Sequence, residues 1–151
     1  MKIRQEIKDI EKNIIDWRRD FHRFPELAFD EHRTSKIIGK ALKDMGLTTQ
    51  MNIVKTGVTA DLKYGDGPTI ALRADMDALP MQETSGLEFS SQHDGVMHAC
   101  GHDGHMAMLL GAAKVLTQNG DGFNGTVRFI FQPAEEGAGG ARYMIEDGCL
   151  D

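Results

Sequence analysis

Nothing in this sequence can build a disulfide framework. It has two cysteines, Cys100 and Cys149, and the first sits inside a cluster of histidines. No apolar run approaches the length needed to cross a bilayer. The opening residues, Met1-Lys-Ile-Arg-Gln-Glu6, are charged and lack the apolar core of a signal peptide. Positive charge is in deficit: 17 Lys and Arg stand against 23 Asp and Glu, a net charge of -6. That balance argues against nucleic acid or an anionic membrane as the main partner. Internal repeats and low-complexity linkers are missing too. What these absences leave is one domain-sized chain of 151 residues, 40% hydrophobic and 26% charged, long enough to bury a core. A reducing, cytoplasmic setting is the default expectation.

Four of the six histidines, His93, His98, His102 and His105, fall within thirteen positions, and Cys100 lies among them. Imidazole and thiolate are the side chains that best hold borderline-soft divalent metals. Cys100 and His102 stand two apart across a glycine, so a tight turn brings both to one metal-sized volume. The competing reading is a polar loop that happens to be rich in histidine.

Hydrophobic periodicity orders the rest. Ile3, Ile7, Ile10, Ile14, Trp17 and Phe21 recur at steps of three and four, which predicts one long amphipathic helix stopped by Pro25. A second helix is expected from about Asp30, as cap, to Gly46. Strands are expected at 50–54, 58–64 and 69–74, the last two joined as a hairpin through Gly65-Asp-Gly67. The third, Thr69-Ile-Ala-Leu-Arg-Ala74, has the apolar composition of a central strand. Residues 80–101 show no period and read as a long functional loop. A buried helix follows from about Gly104 to Asn119, ended by Gly120. Next come a central strand at 126–131, a glycine-rich loop after Pro133 and a short helix ending near Gly148. This order predicts an α/β domain with a mixed, mostly parallel sheet flanked by helices. Ligands in such domains bind at the carboxyl ends of strands. Asp75-Met-Asp77 and Glu135-Glu136 each lie just past a predicted central strand, and the His/Cys loop runs into a helix N-terminus. Three polar clusters distant in sequence should therefore converge on one edge.

Adjacent carboxylates in a loop point in different directions, so one of Glu135 and Glu136 can bind metal while the other handles a proton. Metal-assisted hydrolysis needs that division of labour. A solvated acidic loop is the plain alternative. Asp75 and Asp77 are candidates to orient a metal-bound imidazole, or to form a turn and a salt bridge with Arg73. His98 and His105 are candidates for supporting or substrate-facing roles. His22, His32 and His93 read as packed or solvated, and Cys149 as inert. A Cys100/His102 nucleophilic pair is conceivable, although it leaves the carboxylates without a role. The His-x-Glu and Pro-Cys-x-x-Cys of zinc deaminases and the His-Glu-x-x-His of zinc proteases are absent.

Four segments, Trp17-Arg-Arg-Asp-Phe-His-Arg-Phe-Pro-Glu-Leu27, Arg73-Ala-Asp-Met-Asp-Ala-Leu-Pro80, Met97-His-Ala-Cys-Gly-His-Asp-Gly-His105 and Gln132-Pro-Ala-Glu-Glu-Gly137, together resemble the N-acyl-amino-acid amidohydrolases. This is the branch of the aminoacylase/carboxypeptidase metallopeptidases that includes hippurate hydrolase, auxin-conjugate hydrolases and N-acetyldiaminopimelate deacetylase. The resemblance implies a zinc-peptidase-like three-layer catalytic domain and a site for two divalent ions, whether zinc, manganese, cobalt or nickel. Cys100 matches the bridging ligand, His102 and Glu136 match further metal ligands, Glu135 the general base and Asp77 the supporting aspartate. More distant relatives carry His-x-Asp where this chain has Asp75-Met-Asp77.

Family members are more than twice as long and have further histidine ligands and a dimerising, closing domain downstream. The resemblance therefore implies that residues 1–151 are the N-terminal part of the metal-dependent catalytic domain, with an incomplete sheet. The whole protein is then expected to be a homodimeric enzyme that takes a small N-acyl-amino-acid substrate, and this chain alone is expected to be inactive. The alternative is a non-catalytic metal-binding fragment.

Overall fold

In a computed structural model, the structure describes residues 3–119 and 123–151. The elements run α1 (Gln5–Asp9), α2 (Glu11–Arg23), α3 (His32–Asp44), β1 (Thr48–Ile53), β2 (Gly57–Tyr64), β3 (Thr69–Asp75), α4 (His102–Asn119), β4 (Gly125–Gln132) and α5 (Gly140–Glu146). One four-stranded sheet has the order β1-β2-β4-β3. β1–β2 and β2–β4 are antiparallel and β3–β4 is parallel. The sheet is mixed and flanked by helices, as expected, with the parallel pairing confined to β3–β4.

Alternation along β4 separates the two faces. Phe129 and Phe131 point into the main core with Phe21, Ile38, Leu42, Val58, Met106 and Leu110, under the long helices. Ile130 points the other way, into a smaller cluster with Ile53, Met144 and Cys149 beneath α5. The period-2 side-chain direction of a strand makes these two layers. On that second face Arg128 forks onto Asp61 at 2.9 and 3.0 Å, a paired-nitrogen geometry that fixes the β2–β4 register.

Several local expectations are corrected. The first stripe is not one helix. At Ile10 the backbone leaves helical geometry (φ -107°, ψ 4°) and its N–H turns to Ile7. Ile10 is buried, while Ile3 and Ile7 lie exposed on the offset first turn. Asp30 does not cap α3 with its side chain. The Glu26 carboxylate does so from six residues before the helix, accepting from the N–H groups of Arg33 (3.0 Å) and Thr34 (2.8 Å). The far end of α3 follows expectation: Gly46 takes φ 82°, and the Leu47→Leu42 and Gly46→Lys43 bonds close a Schellman turn. Gly120, expected to end α4, lies outside the described residues.

The hairpin through Gly65-Asp-Gly67 does not form, because β4 inserts between β2 and β3. Those glycines instead wrap the start of β4. A Cβ at Gly65 would meet the Asn124 side chain at 2.1 Å, and one at Gly67 the Asn124 carbonyl at 2.6 Å. The hairpin that does form is β1–β2, turned by Val54 and Lys55 at positive φ. β3 is likewise not central among the described strands. It is an edge, with Ile70 60% exposed.

Candidate metal centre

The two parallel neighbours β3 and β4 end side by side, with Asp75 opposite Gln132 in the register. Past those ends the chain places Asp77 and Glu135-Glu136. α4 begins between them at His102, two residues earlier than expected. Three stretches far apart in sequence thus meet at the carboxyl end of the sheet.

His102 is the hub. It is buried, and its Nδ1 donates to the Asp77 carbonyl oxygen at 2.8 Å, with Asp77 Oδ1 at 3.4 Å. That bond commits Nδ1 and turns Nε2 toward the solvent side. Around Nε2 stand Asp75 Oδ2 (3.9 Å), Glu135 Oε2 (3.9 Å) and Glu136 Oε1 (4.0 Å). Two sets have ligand atoms that all lie within 4.8 Å of one another: His102 with Glu135 and Glu136, and His102 with Asp75 and His105. One imidazole nitrogen facing several carboxylates at about twice a metal–ligand bond length is a donor set suited to zinc, manganese or a similar divalent ion. Asp77, against the cost of burial, raises His102 to about 9, so His102 would have to give up its Nε2 proton to serve as a metal ligand.

Asp77 is buried and holds two groups at once. Besides His102, its Oδ2 accepts the Glu136 N–H at 2.9 Å. Burial pushes its carboxyl up, but hydrogen bonds from His102 and from the Glu136 and Glu135 backbone outweigh that and hold it below the usual range. Asp75 faces the opposite side of His102. It is also paired with Arg73, which donates to Gln132 Oε1 at 2.6 Å. The two aspartates therefore stand at opposite nitrogens of one imidazole, Asp77 hydrogen-bonded to Nδ1 through its carbonyl and Asp75 3.9 Å from the unbonded Nε2.

Cys100 stands outside both sets. The neighbouring Glu136 carboxylate raises the pKa of its exposed thiol, and the charges of Glu135 and Asp77 add to the rise. His105 is half exposed, 3.8 Å from Asp75. His98 is buried with neither ring nitrogen hydrogen-bonded among the described residues, and burial pushes it down to about 4. Its ring is neutral and belongs to neither ligand set. His22 is structural: it bridges Asp103 (2.8 Å) and Glu83 (3.2 Å), while Arg18 reaches the same Asp103 oxygen at 2.9 Å. Sequence reasoning did not single out Glu31, Glu83 or Asp103, all of which support this region. For Asp103 a signal existed, since it sits within the His/Cys motif itself.

Residues 71–151 match peptidase family M20/M25/M40, and that span contains every residue of the cluster. The chain belongs to this family. Among M20 relatives, it is 50% identical over 146 residues to the N-acetyl-L-cysteine deacetylase of Bacillus subtilis, covering 96% of this chain and 35% of that protein. It is 48% identical over 152 residues to the hippurate hydrolase of Campylobacter jejuni, covering 100% of this chain and 39% of that one. The fold superposes on the crystal structure of the Bacillus subtilis YXEP protein, described as a dinuclear metal-binding peptidase from the M20 family. That match has a TM-score of 0.91 and 49% identity over 95% of this chain and 41% of that one. The chain thus spans about two fifths of the length of these M20 proteins.

Proposed function

We propose that this chain forms the N-terminal part of the catalytic domain of a metal-dependent amidohydrolase that cleaves N-acyl-amino acids. The observation that carries this reading is the convergence of Asp75, Glu135 and Glu136 on the free nitrogen of His102, at the ends of two adjacent parallel strands. Relatives named for N-acetyl-L-cysteine deacetylation and hippurate hydrolysis support a small linear amide as substrate. The dinuclear metal-binding description of the YXEP protein supports two divalent ions. Cys100, His102 and Glu136 would hold them, with Asp75 and His105 beside them. Bound there, the ions supply a water of lowered pKa and a polarised amide carbonyl.

Glu135 has the freedom a general base needs. It is 43% exposed on the side chain, against 27% for Glu136, and among the described residues no hydrogen bond ties its carboxylate. In this reading it takes the proton of the attacking water and returns it to the departing amine. Asp77 keeps His102 in one tautomer and orientation. Dimerisation and closure over substrate belong to a separate domain of the whole protein, and a cytoplasmic setting suits a site that uses a thiolate.

Two substitutions in the full-length protein test the assignment. Glu135→Gln should keep its metal and lose turnover by about a hundredfold to ten-thousandfold. Glu136→Gln should lose metal, because a neutral ligand replaces an anionic one. Metal content by elemental analysis and release of free amino acid from N-acetyl-methionine or hippurate read the two effects. Near-normal turnover in Glu135→Gln rules out its role as base.

A further inference from the structure

Glu31 is fully buried, comes from the turn before α3, and plays no part in the metal cluster. Its two oxygens go to different partners. Oε2 accepts the Thr56 hydroxyl at 2.5 Å, from the β1–β2 turn. Oε1 accepts the backbone N–H of Ala134 at 2.9 Å, 103 residues away in sequence. Ala134 immediately precedes Glu135, and it is a non-glycine residue at φ 54°, a left-handed conformation that persists only where its surroundings impose it.

Those surroundings are specific. The Gly140 N–H donates to the Ala134 carbonyl at 3.0 Å, and a Cβ at Gly140 would meet the Pro133 carbonyl oxygen at 1.8 Å. On the other side of Glu135, the Glu136 N–H is held by Asp77. The residue that must be free to move a proton is therefore pinned through the backbone on both flanks, by one buried carboxylate on each side. Asp77 also serves His102, whereas Glu31 takes no part in the metal cluster.

We propose that Glu31 is a positioning residue for this site: its carboxylate, braced by Thr56, fixes the left-handed turn at Ala134 and so aims Glu135. This rests on the reading of Glu135 as the base. What the position requires is reach and two correctly placed hydrogen-bonding atoms, not negative charge. Burial holds the Glu31 carboxyl above the ordinary range, opposed by its hydrogen bonds. A glutamine can present its oxygen to the Ala134 N–H and donate its amide to the Thr56 hydroxyl, which accepts as well as donates. Aspartate keeps the charge but is shorter by one carbon–carbon bond, about 1.5 Å, and cannot span both partners.

The test uses the full-length, metal-loaded enzyme. In Glu31→Asp, amide hydrogen exchange at Ala134 should quicken and kcat should fall roughly 10- to 100-fold, the scale of a 1 Å misplacement. KM and metal content should stay within about twofold of wild type, a split that general destabilisation would not give. Glu31→Gln should restore both exchange and kcat to within about threefold. Unchanged exchange at Ala134 in Glu31→Asp overturns the proposal. So does quickened exchange with wild-type kcat, and so does a Glu31→Gln as impaired as Glu31→Asp. If Glu31→Asp does not fold, Thr56→Val carries the same test: it should quicken exchange at Ala134 and lower kcat, with Thr56→Ser restoring both, and no change in either overturns the proposal. Glu135→Gln separates the two readings, since it abolishes turnover if Glu135 is the base while leaving exchange at Ala134 as in wild type.

Discussion

Glu83 shows how much a single residue of the long segment between β3 and α4 can be asked to do. Its carboxylate accepts from the Ser85 hydroxyl, from the Ser91 N–H at 2.6 Å and from His22 at 3.2 Å. Burial alone would raise its pKa, but these donors bring it from 4.5 down to about 2. A carboxylate whose folded pKa is depressed contributes stability that is fully present above the unfolded value. That contribution is lost as pH falls from about 4.5 through about 2. Glu83→Gln should therefore be less stable at pH 7 and lose less on acidification, so that the two proteins approach each other near pH 2. Urea midpoints from pH 7 to pH 2 read the difference, and parallel curves for the two proteins would show that Glu83 carries no such linkage. Side chains of this kind are hard to read from sequence. The residue types of Cys100, His102, Glu135 and Glu136 announce their chemistry, whereas Glu31 and Glu83 are defined by partners that only the fold supplies.

At the scale of elements, α4 is placed by its first turn. Asp103 is buried there and joins Arg18 and His22 of α2, locking the helix that carries His102 and His105 against the helix that closes the core. Removing Asp103 takes the partner from one ring nitrogen of buried His22 and from partly exposed Arg18, and a buried donor left unsatisfied costs about 1–3 kcal/mol. Asp103→Ala should lose stability on that scale. Asp44→Ala, which breaks only the exposed Lys40–Asp44 pair on α3, should change it by less than about 1 kcal/mol. Equal losses in denaturant titration would refute the distinction. The same network accounts for two polar residues of the Trp17–Leu27 segment: Arg18 and His22 turn inward, toward Asp103. Helices were legible because their apolar stripes are local, and even the break at Ile10 changes only which end of one stripe is buried. Strand pairing was not legible to the same degree. The glycines at 65 and 67 signal a turn without saying which strand comes back beside β2, and a strand inserted from sixty residues later leaves no mark on them.

For the whole molecule, the decisive feature is where the parallel pair β3–β4 lies. It puts Asp75, His102 and the glutamates on one rim, as the order of elements anticipated, while leaving β3 at the sheet edge with an apolar sequence suited to an interior position. Among the described strands β3 pairs with β4 alone, while the turn to Asp77 is tied further by the Glu136 N–H and by the Leu27–Ala78 bridge just beyond it. An unpaired edge carries free N–H and C=O groups and poorly fixed side chains. Since catalytic groups displaced by about 1 Å can cost about a hundredfold, the Asp75 side of the cluster, carried by that edge strand, is where the geometry should be loosest. The chain also spans only 35% to 41% of the length of its relatives. The expected outcome is that the isolated 151 residues take up zinc, manganese or cobalt through His102 and its carboxylates without releasing amino acid from N-acetyl-methionine or hippurate. The full-length protein should do both under the same conditions. Metal-dependent turnover by the isolated chain that disappears in Glu135→Gln would show that the described strands position the site unaided.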